Sequence, residues 1–219
     1  IGRGTREAVH EGAPRGLLRL GAYESTASVW LPGRLNEFQK KYPQVALELH
    51  TWSLQHMIAG MLSGELEAAL ICRNENDTRF ETLPLYDDEV VLVAPKHKDP
   101  LARGKSEDFV LLSFDDDCPL RHQIEGYVRD HIRAPSRVIE MSSNHALLGC
   151  VAAGMGVGMM PESVLPTFPG HKHLNVHRMP AEVAKKHIAL TWRKGMRSVR
   201  IDALAETLQD SRITRRNKK

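Results

Sequence analysis

The sequence predicts an α/β protein folded as two lobes around a cleft, and three observations carry that expectation. Short apolar runs alternate with helix-patterned segments. The order strand, helix, strand, helix, strand occurs once before residue 90 and again between residues 109 and 160. One run, Val90-Val91-Leu92-Val93-Ala94-Pro95, is apolar at every position, as in a strand covered on both faces. At 219 residues, 42% hydrophobic and 26% charged, the chain has ordinary globular composition and enough length for one large or two small cores. No run approaches the roughly eighteen apolar residues of a membrane span. The N-terminus, IGRGTREAVHEGAPRG, has no apolar signal segment. The expectation is a soluble, cytoplasmic protein with no membrane partner.

The elements follow in order. Residues 17–20 form a short strand. Ser25, Thr26 or Ser28 then offers a helix N-cap, Trp30, Leu31, Leu35, Phe38 and Tyr42 recur at helical spacing, and Pro43 closes the helix. Residues 45–51 alternate as a strand, 54–63 form a helix ended by Gly64, and 67–71 form a third strand. Strands at 83–86 and 89–95 are followed by a turn at 97–104, a strand at 109–114 and a helix at 120–132 that aligns Ile124, Tyr127, Val128 and His131. A strand at 138–141, a helix at 144–153 stopped by Gly154, a strand at 187–192 and a closing helix at 199–208 complete the chain.

The last helix needs a sheet to cover, so the chain is expected to cross between lobes twice, near 93–95 and near 190–192. This divides it into residues 16–93 with 191–210, and residues 94–190. Residues 1–15 read as a linker and 211–219 as a basic tail. Two crossings make a hinge, and open α/β sheets bind ligands at the carboxyl ends of their strands.

Charge and special residues narrow the function. The net charge of +3 contains +5 from Arg212, Arg215, Arg216, Lys218 and Lys219, which leaves the rest near −2. So short a basic tail reads as a solvated terminus rather than a nucleic-acid site. Three cysteines, Cys72, Cys118 and Cys150, with no C-x-x-C pair, argue against a disulfide framework. Cys72 and Cys150 read as core thiols. Cys118 follows three acids, Asp115, Asp116 and Asp117, whose charge raises a thiol pKa rather than activating it.

Gly154, Gly156 and Gly158 follow a helix and precede a strand, the reverse of a dinucleotide fingerprint, and read as helix termination and close packing. No cofactor is implied. His171, His173 and His177 would share one face of a strand, but positions four apart are too widely spread for one ion, and no metal is expected. No Ser-His-Asp order, Walker loop or H-E-x-x-H pattern is present, so catalysis is not expected.

Taken in order, Gly16-x-Leu18-x-Leu20-Gly21, Leu31-Pro32, Phe38, Tyr42-Pro43, Leu62-Ser63-Gly64-Glu65-Leu66-Glu67-Ala68-Ala69-Leu70, Val90-Val91-Leu92-Val93 and Ala153-Gly154-Met155-Gly156-Val157-Gly158 with Pro161 resemble the effector-binding domain of LysR-type transcriptional regulators. The resemblance covers residues 16 to 210. It departs from the family in having Glu67 where Asp is usual. The winged helix-turn-helix of the family is absent, and residues 1–12 look like the end of its linker helix. The resemblance implies two Rossmann-like subdomains joined by two crossover strands, as in type 2 periplasmic binding proteins. It also implies a small polar or anionic effector in the cleft, DNA contact only through the missing N-terminal domain, a homodimer of this domain and a tetramer at full length. A solute-binding protein of a transporter is the alternative on the same fold.

The resemblance also points to site residues. Ser25 and Thr26 stand where the family places hydroxyls at the start of its first helix. Free amides and the positive dipole end favour an anion there, and plain N-capping is a compatible role. Tyr23 precedes them with a ring and a phenol. Ser53 and Arg73 fall at the other carboxyl ends of the first lobe, where Arg73 either grips a carboxylate bidentately or pairs with Glu75 or Asp77. The second lobe offers Ser113, Phe114, Asp117, Cys118 and Ser142-Ser143-Asn144. Three adjacent acids repel an anion, so they either face solvent or meet a cationic group. An amino acid or other zwitterion would satisfy both Arg73 and an aspartate. The first helix, residues 28–42, and residues 143–153 are the expected dimer faces, because Val29, Trp30, Leu35 and Phe38 exceed what one buried face needs.

Overall fold

A computed structural model describes residues 13–72, 76–102, 108–114 and 119–210. In chain order its first half holds β1 (Gly16–Ala22), α1 (Leu31–Lys41), β2 (Val45–Thr51), α2 (Leu54–Ser63), β3 (Ala68–Cys72) and β4 (Phe80–Pro95). The second half holds β5 (Val110–Ser113), α3 (Pro119–His131), β6 (Arg137–Glu140), α4 (Asn144–Ala152), β7 (Val157–Pro161), β8 (Leu174–His177), α5 (Ala181–Ala184), β9 (Lys185–Arg193) and α6 (Val199–Gln209).

In each lobe the strands nearest the first helices are parallel, so the chain must return across the sheet through a helix. The first lobe runs β2-β1-β3-β9-β4, with β2, β1 and β3 parallel and β9 antiparallel to both its neighbours. Leu18, Leu20, Phe38, Leu190 and Leu204 form the core beneath α1 and α6, while Met57, Met61, Leu66 and Ala69 form the one beneath α2. The second lobe runs β4-β7-β5-β6, with β8 on the end of β4. Leu111, Ile124, Val128 and Met159 pack beneath α3, and Val91, Leu112, Leu147 and Val151 beneath α4.

The sequence predicts two strands where the structure has one of 16 residues. From Phe80 to Glu89, β4 pairs with β9, and from Val90 onward it pairs with β7 and then β8. The exchange of partner therefore falls between Glu89 and Val90, not at 93–95, and the return is complete before Lys185, not at 190–192. The cause is compositional. Asp87-Asp88-Glu89 ends the half-exposed part of the strand, and all of residues 90–95 are buried in the second lobe. A register irregularity at Pro84 to Tyr86 is where proline removes a ladder donor.

The glycine-rich stretch is structural. Gly154 has φ +87 just past α4, and a Cβ on Gly156 would lie 2.2 Å from the carbonyl oxygen of Val110, so β7 enters against β5 only without a side chain there. The three histidines do not share a strand. His171 and His173 sit in a 3-10 turn, and only His177 lies in β8. Its Nε2 is 2.8 Å from Asp99 Oδ2. Among the described residues no three ligating groups gather as a metal site. Burial pushes the Asp99 carboxyl up, but bonds from Asn175, His177 and the Leu101 amide outweigh it and hold the group below the usual range. Cys72 and Cys150 are partly buried, one against each lobe's core.

Substituting Gly156→Ala should lower the free energy of unfolding by about 2 kcal/mol or more, because backbone must shift. Gly149→Ala, where a Cβ meets nothing within 4 Å in the middle of α4, should raise it by about 0.5–1 kcal/mol. Urea unfolding curves of the two variants check the contrast.

Candidate functional site: the cleft between the lobes

The strands of both lobes end toward a common cleft of about 890 Å³. Tyr23, Glu24 and Ser25 reach it from the end of β1, Trp52 and Ser53 from β2, and Cys72 from β3. Phe114 reaches it from β5, and Glu140, Ser143 and Asn144 from β6 and the start of α4. Val90, Pro161 and Lys186 close it on the side of the crossover strands.

Helix starts dominate this surface. Ser53 caps α2 by accepting the His56 amide, and its Oγ lies 3.0 Å from His56 Nδ1. Ser143 caps α4 by accepting the Ala146 amide at 3.4 Å. Ser25 is different. With φ −60 and ψ −41 it is already helical and makes no cap bond, although it is buried and lines the cleft. Remaining amides at such ends, together with the helix dipoles, favour an electronegative ligand group.

Three expectations about the first helix change. None of Ser25, Thr26 and Ser28 caps it, since the Ser28 hydroxyl donates back to the Glu24 carbonyl at 2.7 Å. Thr26 does not line the cleft. It is 0% exposed, in a π-helical turn (Thr26–Trp30), with its Oγ1 2.9 Å from the Tyr86 hydroxyl. Tyr86 in turn stacks on Trp30 with ring centroids 4.5 Å apart, and the Arg34 guanidinium lies 3.7 Å from the Trp30 centroid. Burial pushes the Tyr86 phenol well above its usual pKa and lowers that of Arg34. The apolar residues expected as a dimer face are largely used within the chain. Phe38 is in the core, Leu35 packs on it, and Val29 packs on the second lobe.

The structure thus brings Tyr23, Ser25, Ser53, Phe114 and Ser143 to one cleft and turns Thr26 away. Arg73, Asp117 and Cys118 lie outside the described residues. Three charged residues of the cleft, Glu24, Glu140 and Lys186, were not anticipated. The Glu24 carboxylate crosses from the first lobe and accepts the backbone N–H of Asn144 in the second at 2.7 Å, so an acid of one lobe sits on a helix start of the other. Lys186 is only 8% exposed. Its signal in the sequence was its place on one strand face with Ile188, Leu190 and Trp192, where an ammonium is out of keeping. Arg121 fixes the opposite wall by donating to Glu125 at 2.6 Å, to Glu140 at 3.0 Å and to the Phe114 carbonyl at 2.7 Å.

Fold and cleft together define a two-lobed module with a cleft of small-molecule size where its two sheets join. Residues 11–212 match the family described as the LysR substrate binding domain, and the chain belongs to that family. It is a ligand-sensing domain of transcriptional regulators, not an enzyme. It is 28% identical over 194 residues to the HTH-type transcriptional regulator YofA of Bacillus velezensis, covering 87% of this chain and 66% of that protein. It is 28% identical over 166 residues to the HTH-type regulator GltR of Bacillus subtilis, covering 75% and 56%. The chain thus spans less than two thirds of these relatives. Among solved structures, a sulfate-bound variant of the OxyR2 regulatory domain from Vibrio vulnificus matches with a TM-score of 0.72 at 20% identity over 91% of this chain and 98% of that one. The effector-binding domain of a BenM variant matches with a TM-score of 0.74 at 18% identity over 92% and 96%. The fold is that of type 2 periplasmic binding proteins, and the relatives named are regulators, which sets the transporter alternative aside. Among the described residues no helix is long and apolar enough to cross a membrane.

Removing the tie between lobes has a measurable cost. Glu24→Ala should lower unfolding stability by about 1.5–3 kcal/mol, the worth of a hydrogen bond to a charged group. Glu24→Gln, which keeps an acceptor, should lose less. Denaturant midpoints of the two variants provide the comparison.

Proposed function

We propose that the cleft binds a small polar or anionic effector and that the chain passes the resulting change of lobe angle to partner subunits and to a DNA-binding segment elsewhere in the full-length regulator. The observation that carries this reading is the meeting of Ser25, Ser53 and Ser143, from helix starts of both lobes, in one cleft. A ligand bonded to both lobes at once stabilises one lobe angle over others, and it can shift that equilibrium only by its differential affinity for the two states. Kinship with HTH-type transcriptional regulators supports a cytoplasmic location, self-association of this domain as a dimer and assembly of the full protein as a tetramer. Side-by-side pairing of α1 with the partner's α4 is the arrangement the family resemblance favours. Arg73, Asp117 and Cys118 complete the proposed ligand set.

A thermal-shift screen of metabolites tests the site. A cleft ligand should raise the melting temperature, by about 2.7 kcal/mol of added stability at a hundredfold excess over Kd. The Ser53→Ala/Ser143→Ala double variant should respond markedly less. A response of equal size in the double variant would place binding elsewhere.

A further inference from the structure

Lys186 is a largely buried cation on the cleft wall, and among the described residues no acceptor lies within hydrogen-bond length of its ammonium. It is 8% exposed and lines the cleft from β9. Directly opposite in the ladder stands Asp88 of β4. The two side chains are 7% and 8% exposed, with Nζ 3.7 Å from Oδ2, beyond hydrogen-bond length. Asp88 is otherwise engaged. Its Oδ2 accepts the Ser163 hydroxyl at 2.7 Å and its Oδ1 the Glu89 amide at 2.9 Å.

The described carboxylates that line the cleft are also committed. Glu24 accepts the Asn144 amide and Glu140 pairs with Arg121. An ammonium carries three donors, and among the described residues Lys186 has no acceptor at bonding distance. Burying such a group without its bonds is costly, so an acceptor entering from the cleft gains more here than at the surface. The helix starts at Ser53 and Ser143 bias the same space toward negative charge.

We propose that Lys186 is the anion anchor of the effector site, and that the effector is a small molecule whose carboxylate oxygen accepts from the Lys186 ammonium. This rests on the reading of the cleft as the effector site. A lysine suits a single compact oxygen, because it presents a point charge rather than the planar fork of an arginine. The position adds a consequence for signalling. The Asp88–Lys186 rung is next but one to the exchange of partner at Glu89 and Val90, and Asp88 also holds Ser163 of the second lobe. A ligand oxygen on Lys186 therefore acts where the two sheets join.

The test is calorimetric titration of the protein with acetate, benzoate, succinate and glutamate, each beside its amide. Lys186→Met and Lys186→Met/Asp88→Asn are run in parallel, the second variant removing the acid that the first leaves unpaired. The expected result is binding of at least one acid in preference to its amide, weakened about ten- to a hundredfold in both variants, the range for a hydrogen bond to a charged group. Equal affinity in wild type and variants, equal binding of acid and amide, or silence of all the acids overturns the assignment of Lys186. If a neutral or cationic compound then binds and loses affinity in the Ser53→Ala/Ser143→Ala variant, the cleft remains the effector site without a carboxylate anchor. If no compound binds in the cleft, both readings fall.

Discussion

Strand β4 belongs to two sheets, and the rest of the molecule is arranged around that sharing. Its first ten residues, Leu85 at the irregularity excepted, pair with β9 and its last six with β7 and β8. Two sheets joined through one strand cannot drift apart, yet each keeps its own helices and its own cores. The lobe motion proposed above would be confined to the place where ladder partners change, because bending elsewhere would break hydrogen bonds inside a packed lobe. The charged triplet Asp87-Asp88-Glu89 marks that place in the sequence, and β9 returns beside it with Lys185, Lys186 and His187. Asp87, paired with Lys185 and His187, keeps its carboxyl below the usual range, so this rim of the hinge is held by charge rather than apolar packing.

The same topology makes the cleft. Parallel strands end on one side of each sheet, so the helices that follow them also begin there, and the two lobes present those ends to one another. Serine caps and a largely buried ammonium then converge on one cleft. Glu24 spans the gap to Asn144. An acid of the protein thus already holds one of the positions that a ligand's electronegative group would favour.

Much of this was legible from residue order. Helix spacing, the Gly64 and Gly154 terminations and the fully apolar run at residues 90–95 located most elements to within a residue or two, and Ser53 and Ser143 were singled out by their place after strands. What could not be read depends on partners far along the chain. Thr26 faces Tyr86, sixty residues away, so its hydroxyl leaves the cleft for the interior. The apolar residues of the first helix seemed to exceed one buried face because Val29 and Trp30 have partners in other segments, the second-lobe core and the Tyr86 ring. Strand β8 escaped notice because four residues, Leu174-Asn175-Val176-His177, carry little periodic signal, and its place is set by pairing with β4. Lys186 has a local signal, a charge on an inward strand face, but its meaning needs Asp88 and the cleft.

The central claim is that a ligand in the cleft turns one lobe against the other about the β4–β9 crossover. It is tested most directly by spin-label distances between exposed positions of the two lobes, Lys40→Cys on α1 and Arg129→Cys on α3, in a chain whose native cysteines are replaced. Saturating ligand should shift and narrow the inter-lobe distance distribution, while a pair of labels within the first lobe stays unchanged. Identical inter-lobe distributions with and without saturating ligand would contradict the account.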